Sequence, residues 1–192
     1  MDVGANVGTT TLPAVRRFDS AIAVEAEPRN AALLRANAAL NGVEGRIVVR
    51  EAACSSSSGE VELLLSEKHG GHAVGHPKPG GRSLLVPAVP LDDLIAAEGV
   101  LASDVGLVWM DVGGHEGEVL RGAQGLLESG VPIVAEIRAR TAGDVLDVLS
   151  GRYTRARDLR DGADLAVRRM PDYLSRLGAR GGRKFSDFLL LP

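Results

Sequence analysis

The sequence predicts a single α/β domain over residues 1–192, with a mostly parallel central sheet covered by helices on both faces. Three observations predict it. Short apolar runs of strand length alternate with segments of helical period along the chain. Near the start, Asp2-Val3-Gly4-Ala5-Asn6-Val7-Gly8 forms a glycine turn of the kind that joins a strand to a helix around a bound ligand. Hydrophobic residues make up 45% of the 192 residues, enough for one well-buried core, and no internal repeat divides the chain.

Each element follows in order. Residues 9–17 read as a helix after the glycine turn, and 22–25 as a short buried strand. The helix over 28–40 has Pro28 in its first turn and Asn41-Gly42 as its stop. Strands are expected at 46–50 and 60–65, a short helix at 92–97 and a strongly apolar strand at 107–112. Val119, Leu120, Ala123, Leu126 and Leu127 keep helical spacing across 116–129, and Gly130 with Pro132 ends that helix. A strand at 131–137 precedes Thr141-Ala142-Gly143-Asp144, which has the form of a capping box and opens a helix that stops at Gly151. Residues 153–159 and 185–191 are the last strands.

Residues 66–83 break this rhythm. They are rich in Gly, Pro and His without an apolar period, and read as a flexible lid or plain solvent loop. His69, His72 and His76 suggest a metal tract, but their spacing is not that of a helix-borne zinc pair, and no metal is expected.

Composition narrows the function classes. A net charge of −3 and 3% aromatics remove the general drive toward nucleic acid and the ring platform for stacking bases. The basic run of Arg168, Arg169, Arg176, Arg180, Arg183 and Lys184 reads as a solvated face. Cys54 is the only cysteine, the apolar runs are too short to span a bilayer, and no export leader is visible. A cytoplasmic protein without membrane partners is expected, with homo-oligomerisation left open.

Glu25 ends the apolar run after the glycine turn, where a carboxylate can bind ribose hydroxyls from the strand's tip. The spacing D-x-G-x-x-x-G differs from the dinucleotide fingerprint G-x-G-x-x-G. Further on, Trp109-Met110-Asp111-Val112-Gly113-Gly114-His115-Glu116 ends one strand and opens the next helix. Carboxyl ends of parallel strands face the ligand crevice, so Asp111, His115 and Glu116 are expected at its reactive end.

The glycine turn resembles motif I of class I S-adenosylmethionine methyltransferases. With Glu25, Ala31-Ala32-Leu33-Leu34, Asn37, Asn41-Gly42, Asp111 to Glu116, Val119 to Ala123, Pro132 to Glu136 and Phe185-Ser186-Asp187-Phe188-Leu189, the chain resembles the FkbM-type methyltransferases. The resemblance implies a Rossmann-like class I fold and methyl transfer from S-adenosylmethionine to a hydroxyl of a sugar or small natural product. It implies Asp2, Gly4, Asn6 and Gly8 around the methionyl part of the cofactor, Glu25 at the ribose and Ala53 as a further cofactor contact. Asp111 and its neighbours fall on the substrate side. Two departures stand out. Many members have Gln or another polar residue where this chain has Gly113, and Met1 begins where the first strand should be finishing. The first strand is therefore expected to be truncated and the domain N-terminally incomplete.

An alcohol nucleophile needs a base within hydrogen-bond reach. His115 is the first candidate, because a helix N-terminus disfavours the imidazolium and keeps a neutral, accepting nitrogen. Asp111 could orient that ring, bind the substrate hydroxyl or act as the base. Glu116 is weaker, since a first-turn Glu often serves only the helix start. Glu136 ends an apolar strand at the same face and either touches substrate or simply closes the strand. The rival readings are a non-catalytic cofactor-binding remnant or partner subunit and, resting only on the basic run, an RNA methyltransferase.

Overall fold

The computed structural model describes residues 1–66, 72–75, 80–179 and 182–192. The chain runs β1 (Asp2–Val3), α1 (Thr11–Ala14), β2 (Ala21–Glu25), α2 (Pro28–Leu40), β3 (Ile47–Glu51), β4 (Ala53–Cys54), β5 (Gly59–Leu65), β6 (Ala73–Val74), β7 (Arg82–Val89) and α3 (Leu91–Ala97). It continues with β8 (Val108–Met110), α4 (Glu116–Arg121), α5 (Gln124–Glu128), β9 (Ile133–Arg138), α6 (Ala142–Leu149), β10 (Arg155–Asp158), β11 (Asp164–Ala166), α7 (Met170–Ala179) and β12 (Phe185–Leu191).

The main sheet has eight strands in the order β11-β10-β12-β9-β8-β1-β2-β3. From β3 to β9 all neighbours are parallel, and β12 inserts antiparallel between β9 and β10. Side chains alternate across the sheet, so Ile22 and Val24 of β2 enter one core while Ala23 enters the other. The larger core packs Met110, Ile133 and Phe188 against Leu91, Leu120, Leu149 and Met170. The smaller one packs Ala23 and Ile47 against Ala5, Val15, Leu34 and Ala38. Two covered faces explain why these strands read as continuous apolar runs.

β1 is only two residues long, yet it lies at the centre of this sheet. Asp2 and Val3 pair with Ala23 and Val24 on one side and with Trp109 and Met110 on the other. The Trp109 amide donates to the Met1 carbonyl at 2.9 Å, and the Met1 amine donates to the Leu107 carbonyl at 2.6 Å. The first strand is thus short but fully paired over the residues present. Below it, a cavity of about 660 Å³ is lined by Met1, Ala21, Ile22, Val105 and Leu107, among others.

A second, four-stranded sheet, β4-β7-β5-β6, corrects the reading of 66–83 as loop alone. β5 and β7 pair antiparallel from Gly59↔Ala88 to Leu65↔Arg82, and β6 adds Ala73 and Val74. Its own small core joins Ala53, Leu63 and Val86. Pro87 and Pro90 hide β7 in the sequence, because a proline in a run argues against a strand.

Three further corrections concern helices and their ends. The helix expected at 9–17 is confined to α1, after which Arg16 and Arg17 bond three residues back in tight turns. The helix expected over 116–129 is two, α4 and α5, broken at Gly122. A Cβ on Gly122 would lie 2.1 Å from the Ser55 carbonyl oxygen, and Asp92 of α3 caps α5 by accepting from the Gly125 and Leu126 amides at 2.7 and 3.2 Å. The capping box at 141–144 does not form: the Thr141 hydroxyl donates to the Arg138 carbonyl, and Asp144 pairs with Arg121 of α4. The basic run is exposed as expected at Arg168, Arg169, Arg176 and Lys184, around α7, whose Met170 and Leu174 are fully buried.

Candidate active site

Parallel packing brings the tips of β1, β2 and β8 to one edge, and a cleft opens there. Asp2, Gly4, Asn6, Glu25 and Ala53 all line it, as do Asp111 and His115. The cleft measures about 150 Å³. Gly8 is not on the wall; it lies behind the turn against Leu12 and Leu34, with a φ of +93° that favours glycine.

Gly4 is required for a reason the sequence did not reveal. At φ +81° its Cβ would lie 2.1 Å from the Asp111 carbonyl oxygen, so the close approach is between two loops of the protein. Asn6 takes the left-handed conformation at φ 51°, which aims its amide at Glu25 Oε2, 2.8 Å away. The other Glu25 oxygen accepts from the Glu27 amide at 2.8 Å. Glu25 is 6% exposed and lines the cleft, and each of its oxygens keeps a lone pair for a ligand hydroxyl. Asp2 accepts from the Thr11 hydroxyl; burial pushes its carboxyl up, and Thr11 opposes that push. With Ala26, Ala52 and Ala53 leaving space along the wall, these residues fit a nucleoside-bearing group.

The structure separates the three expected catalytic residues. Asp111 is exposed and lines both the cleft and a second cavity of about 470 Å³. Partial desolvation raises its carboxyl, Arg138 opposes, and Asp187 and Asp2 add to the rise. His115 is the N-cap of α4, and its Nε2 lies 3.1 Å from the Ser55 hydroxyl. Its pKa is lowered chiefly by burial, with Glu118 and Asp144 opposing; desolvation thus keeps the ring neutral, the outcome expected from the helix end. Glu116 lines neither cavity. It is fully buried beneath the turn, accepts from the Gly114 amide at 2.9 Å, and its Oε2 has no partner among the described residues. Burial raises its carboxyl against that hydrogen bond and Arg138.

The second cavity is walled by Asp111, Glu136, Arg138, Arg140, Lys184 and Phe185. Glu136 therefore faces a cavity and pairs with Arg138 at 3.2 Å. Burial raises its carboxyl, Asp111 adds to the rise, and Arg138 opposes it. The arginines were not singled out from the sequence, because nothing in their spacing links them to Asp111.

His72, which the sequence offers only as part of a metal tract, has another place. It lines the cleft, and its Nδ1 accepts from the Ser66 amide at 3.1 Å. His69 and His76 lie outside the described residues, as does Arg180. The neighbourhood of His72 also explains Gly113: at φ +68° a Cβ there would sit 3.0 Å from both the His72 carbonyl and the Ala73 Cβ. β6 fills the space a polar side chain at 113 would need. Arg183 leaves the basic run to pair with the buried Asp158 at 2.6 Å and the exposed Asp161 at 3.2 Å. Among the described residues no helix is long and apolar enough to cross a membrane.

The family described as methyltransferase FkbM domain matches residues 2–178. Among solved structures the chain is similar to the methyltransferase FkbM from Methylobacillus flagellatus KT, at 15% identity and a TM-score of 0.57, over 100% of this chain and 42% of that one. It is also similar to precorrin-6y C5,15-methyltransferase from Geobacter metallireducens GS-15, at 11% identity and a TM-score of 0.52, over 100% and 77%. The chain thus spans less than half the length of the first of these. At such identities the likeness shows the fold, a Rossmann-like class I methyltransferase sandwich. No curated protein matches the sequence.

Proposed function

The chain belongs to the FkbM methyltransferase domain family, and from that premise we propose that it O-methylates a hydroxyl of a sugar or small natural product. S-adenosylmethionine, when bound, supplies the activated methyl group. Glu25 would hold the ribose hydroxyls, the turn from Asp2 through Asn6 the methionyl part, and Ala53 would lie along the cofactor.

One observation carries the reading: Asp111 is a wall of both the cofactor cleft and the second cavity. A hydroxyl entering from the second cavity meets the Asp111 carboxylate at the boundary with the cleft. Because desolvation raises its pKa, Asp111 is a stronger base than a free aspartate and can take the hydroxyl proton as the oxygen becomes nucleophilic. His115, kept neutral by burial and fixed by Ser55, is the second acceptor for that proton. The protein's contribution is alignment and proton acceptance.

The test is incubation with isotope-labelled S-adenosylmethionine and a panel of hydroxylated glycosides, reading methyl transfer by mass. Asp111→Asn should lower turnover on the order of a hundredfold while leaving S-adenosylhomocysteine affinity unchanged. His115→Ala should act in the same direction. A folded, cofactor-binding protein that methylates none of the panel would remove the O-methyltransferase reading.

A further inference from the structure

The second cavity carries more positive charge than its own carboxylates neutralise. Antiparallel pairing of β9 with β12 sets Arg138 opposite Phe185, and the Ala139 amide donates to the Lys184 carbonyl at 2.8 Å. That ladder brings Arg138, Arg140 and Lys184 together in the lining of a cavity that Asp111 also lines. Glu136 is used by Arg138 at 3.2 Å and Arg160 at 4.0 Å, and Asp187 by Arg160 at 2.8 Å. Arg140 and Lys184 are left over. Both are exposed, and among the described residues neither has a carboxylate within ion-pair distance. Among the described residues the Arg140 guanidinium makes one hydrogen bond, to the Gly113 carbonyl at the long distance of 3.5 Å. Arg138 adds a buried Nε with no partner among the described residues.

We infer that this cavity selects an acceptor bearing an anionic group, a carboxylate or a phosphate on a sugar ring, held by Arg140 and Lys184 while a hydroxyl of the same molecule reaches Asp111. The inference rests on the proposed methyl transfer for the role of that hydroxyl, but the anion site stands on its own geometry. A guanidinium and an ammonium lining one cavity suit an anion's several acceptor oxygens. Phe185, with the Arg160 guanidinium 4.6 Å from its ring centroid, supplies an apolar wall for the ring's C–H face. The Asp111 carboxylate in the same cavity repels an anion, so a charged acceptor turns its hydroxyl and not its anionic group toward Asp111.

The test uses calorimetry on the whole chain, with and without saturating S-adenosylhomocysteine. Glucuronate and glucose 6-phosphate are the charged probes, and methyl glucoside is the neutral one. At least one charged probe should bind about tenfold or more tighter than methyl glucoside, as expected for charge-assisted hydrogen bonds. Comparing the two charged probes tells which anion is preferred. The double variant Arg140→Ala, Lys184→Ala should erase the preference without changing S-adenosylhomocysteine affinity, which also shows that it is folded. Equal binding of charged and neutral probes, or a preference that survives in the double variant, overturns the inference. If S-adenosylhomocysteine fails to bind while the charge preference persists and depends on Arg140 and Lys184, the anion site stands and the methyl-transfer reading falls.

Discussion

Glu25 holds two backbone amides and faces the cleft at the same time, so its loss should register twice. Glu25→Ala should weaken S-adenosylhomocysteine binding by about 1.5–3 kcal/mol in calorimetry, and should also lower the Tm because the Asn6 and Glu27 amides lose their acceptor. An unchanged affinity would show that Glu25 serves the turn alone. Glu116 gives a pH prediction. Its folded pKa is raised, so the stability linked to it is fully present below the unfolded value of 4.5 and is lost as pH rises through the folded value. Glu116→Gln removes that titration. The stability of Glu116→Gln relative to wild type, measured by urea unfolding, should therefore increase as pH rises from 4 toward neutrality; a difference independent of pH would show that Glu116 does not titrate on folding. At this scale the sequence places the residues whose positions are set locally. Asp2, Gly4, Asn6 and Glu25 stand on or just beyond strand ends fixed by the alternation of elements. Glu116 turns inward, away from both cavities, because helix phase and not proximity to Asp111 sets its direction. His72, Arg138 and Arg140 reach the site through pairings between distant segments, which leave no mark in local spacing.

Elements were legible where the cause lay within them. α2 begins at Pro28 and ends at Leu40 as its proline and Asn41-Gly42 dictate. The break between α4 and α5 was not legible, because it is imposed from elsewhere: Ser55 and Asp92 occupy the place a continuous helix would need. This makes Asp92 an N-terminal cap supplied by another helix. Asp92→Ala should cost about 1–2 kcal/mol of stability by denaturant unfolding, in the range of lost caps, while Asp92→Asn should retain part of it. Loss of under about 0.3 kcal/mol in both would mean that water replaces the cap. The same logic covers the second sheet. β7 is a strand because β5 offers it seven partners, a long-range reason that outweighs Pro87.

At the scale of the whole molecule, the two cores of the main sheet meet around β1, that sheet's shortest strand and the one on which Asp2 and Gly4 depend. Its neighbours hold the turn that follows it: the Gly4 and Ala5 amides donate to the Val24 carbonyl of β2 at 2.9 and 3.0 Å, and the Asp111 amide beyond β8 donates to the Val3 carbonyl at 3.0 Å. A ligand in the cleft therefore touches residues carried by three strands of one sheet, an arrangement that exists only in the folded chain. S-adenosylhomocysteine at a hundred times its Kd should accordingly add about 2.7 kcal/mol to stability. For a chain of this size about 2–4 °C of Tm accompanies each kcal/mol, so the protein should melt several degrees higher with ligand than without it in a thermal scan. The same scan on Glu25→Ala should show a smaller rise at equal ligand concentration, because the cleft loses its buried acceptor. No rise in Tm for the intact chain would show that the cleft at the strand tips does not hold this ligand.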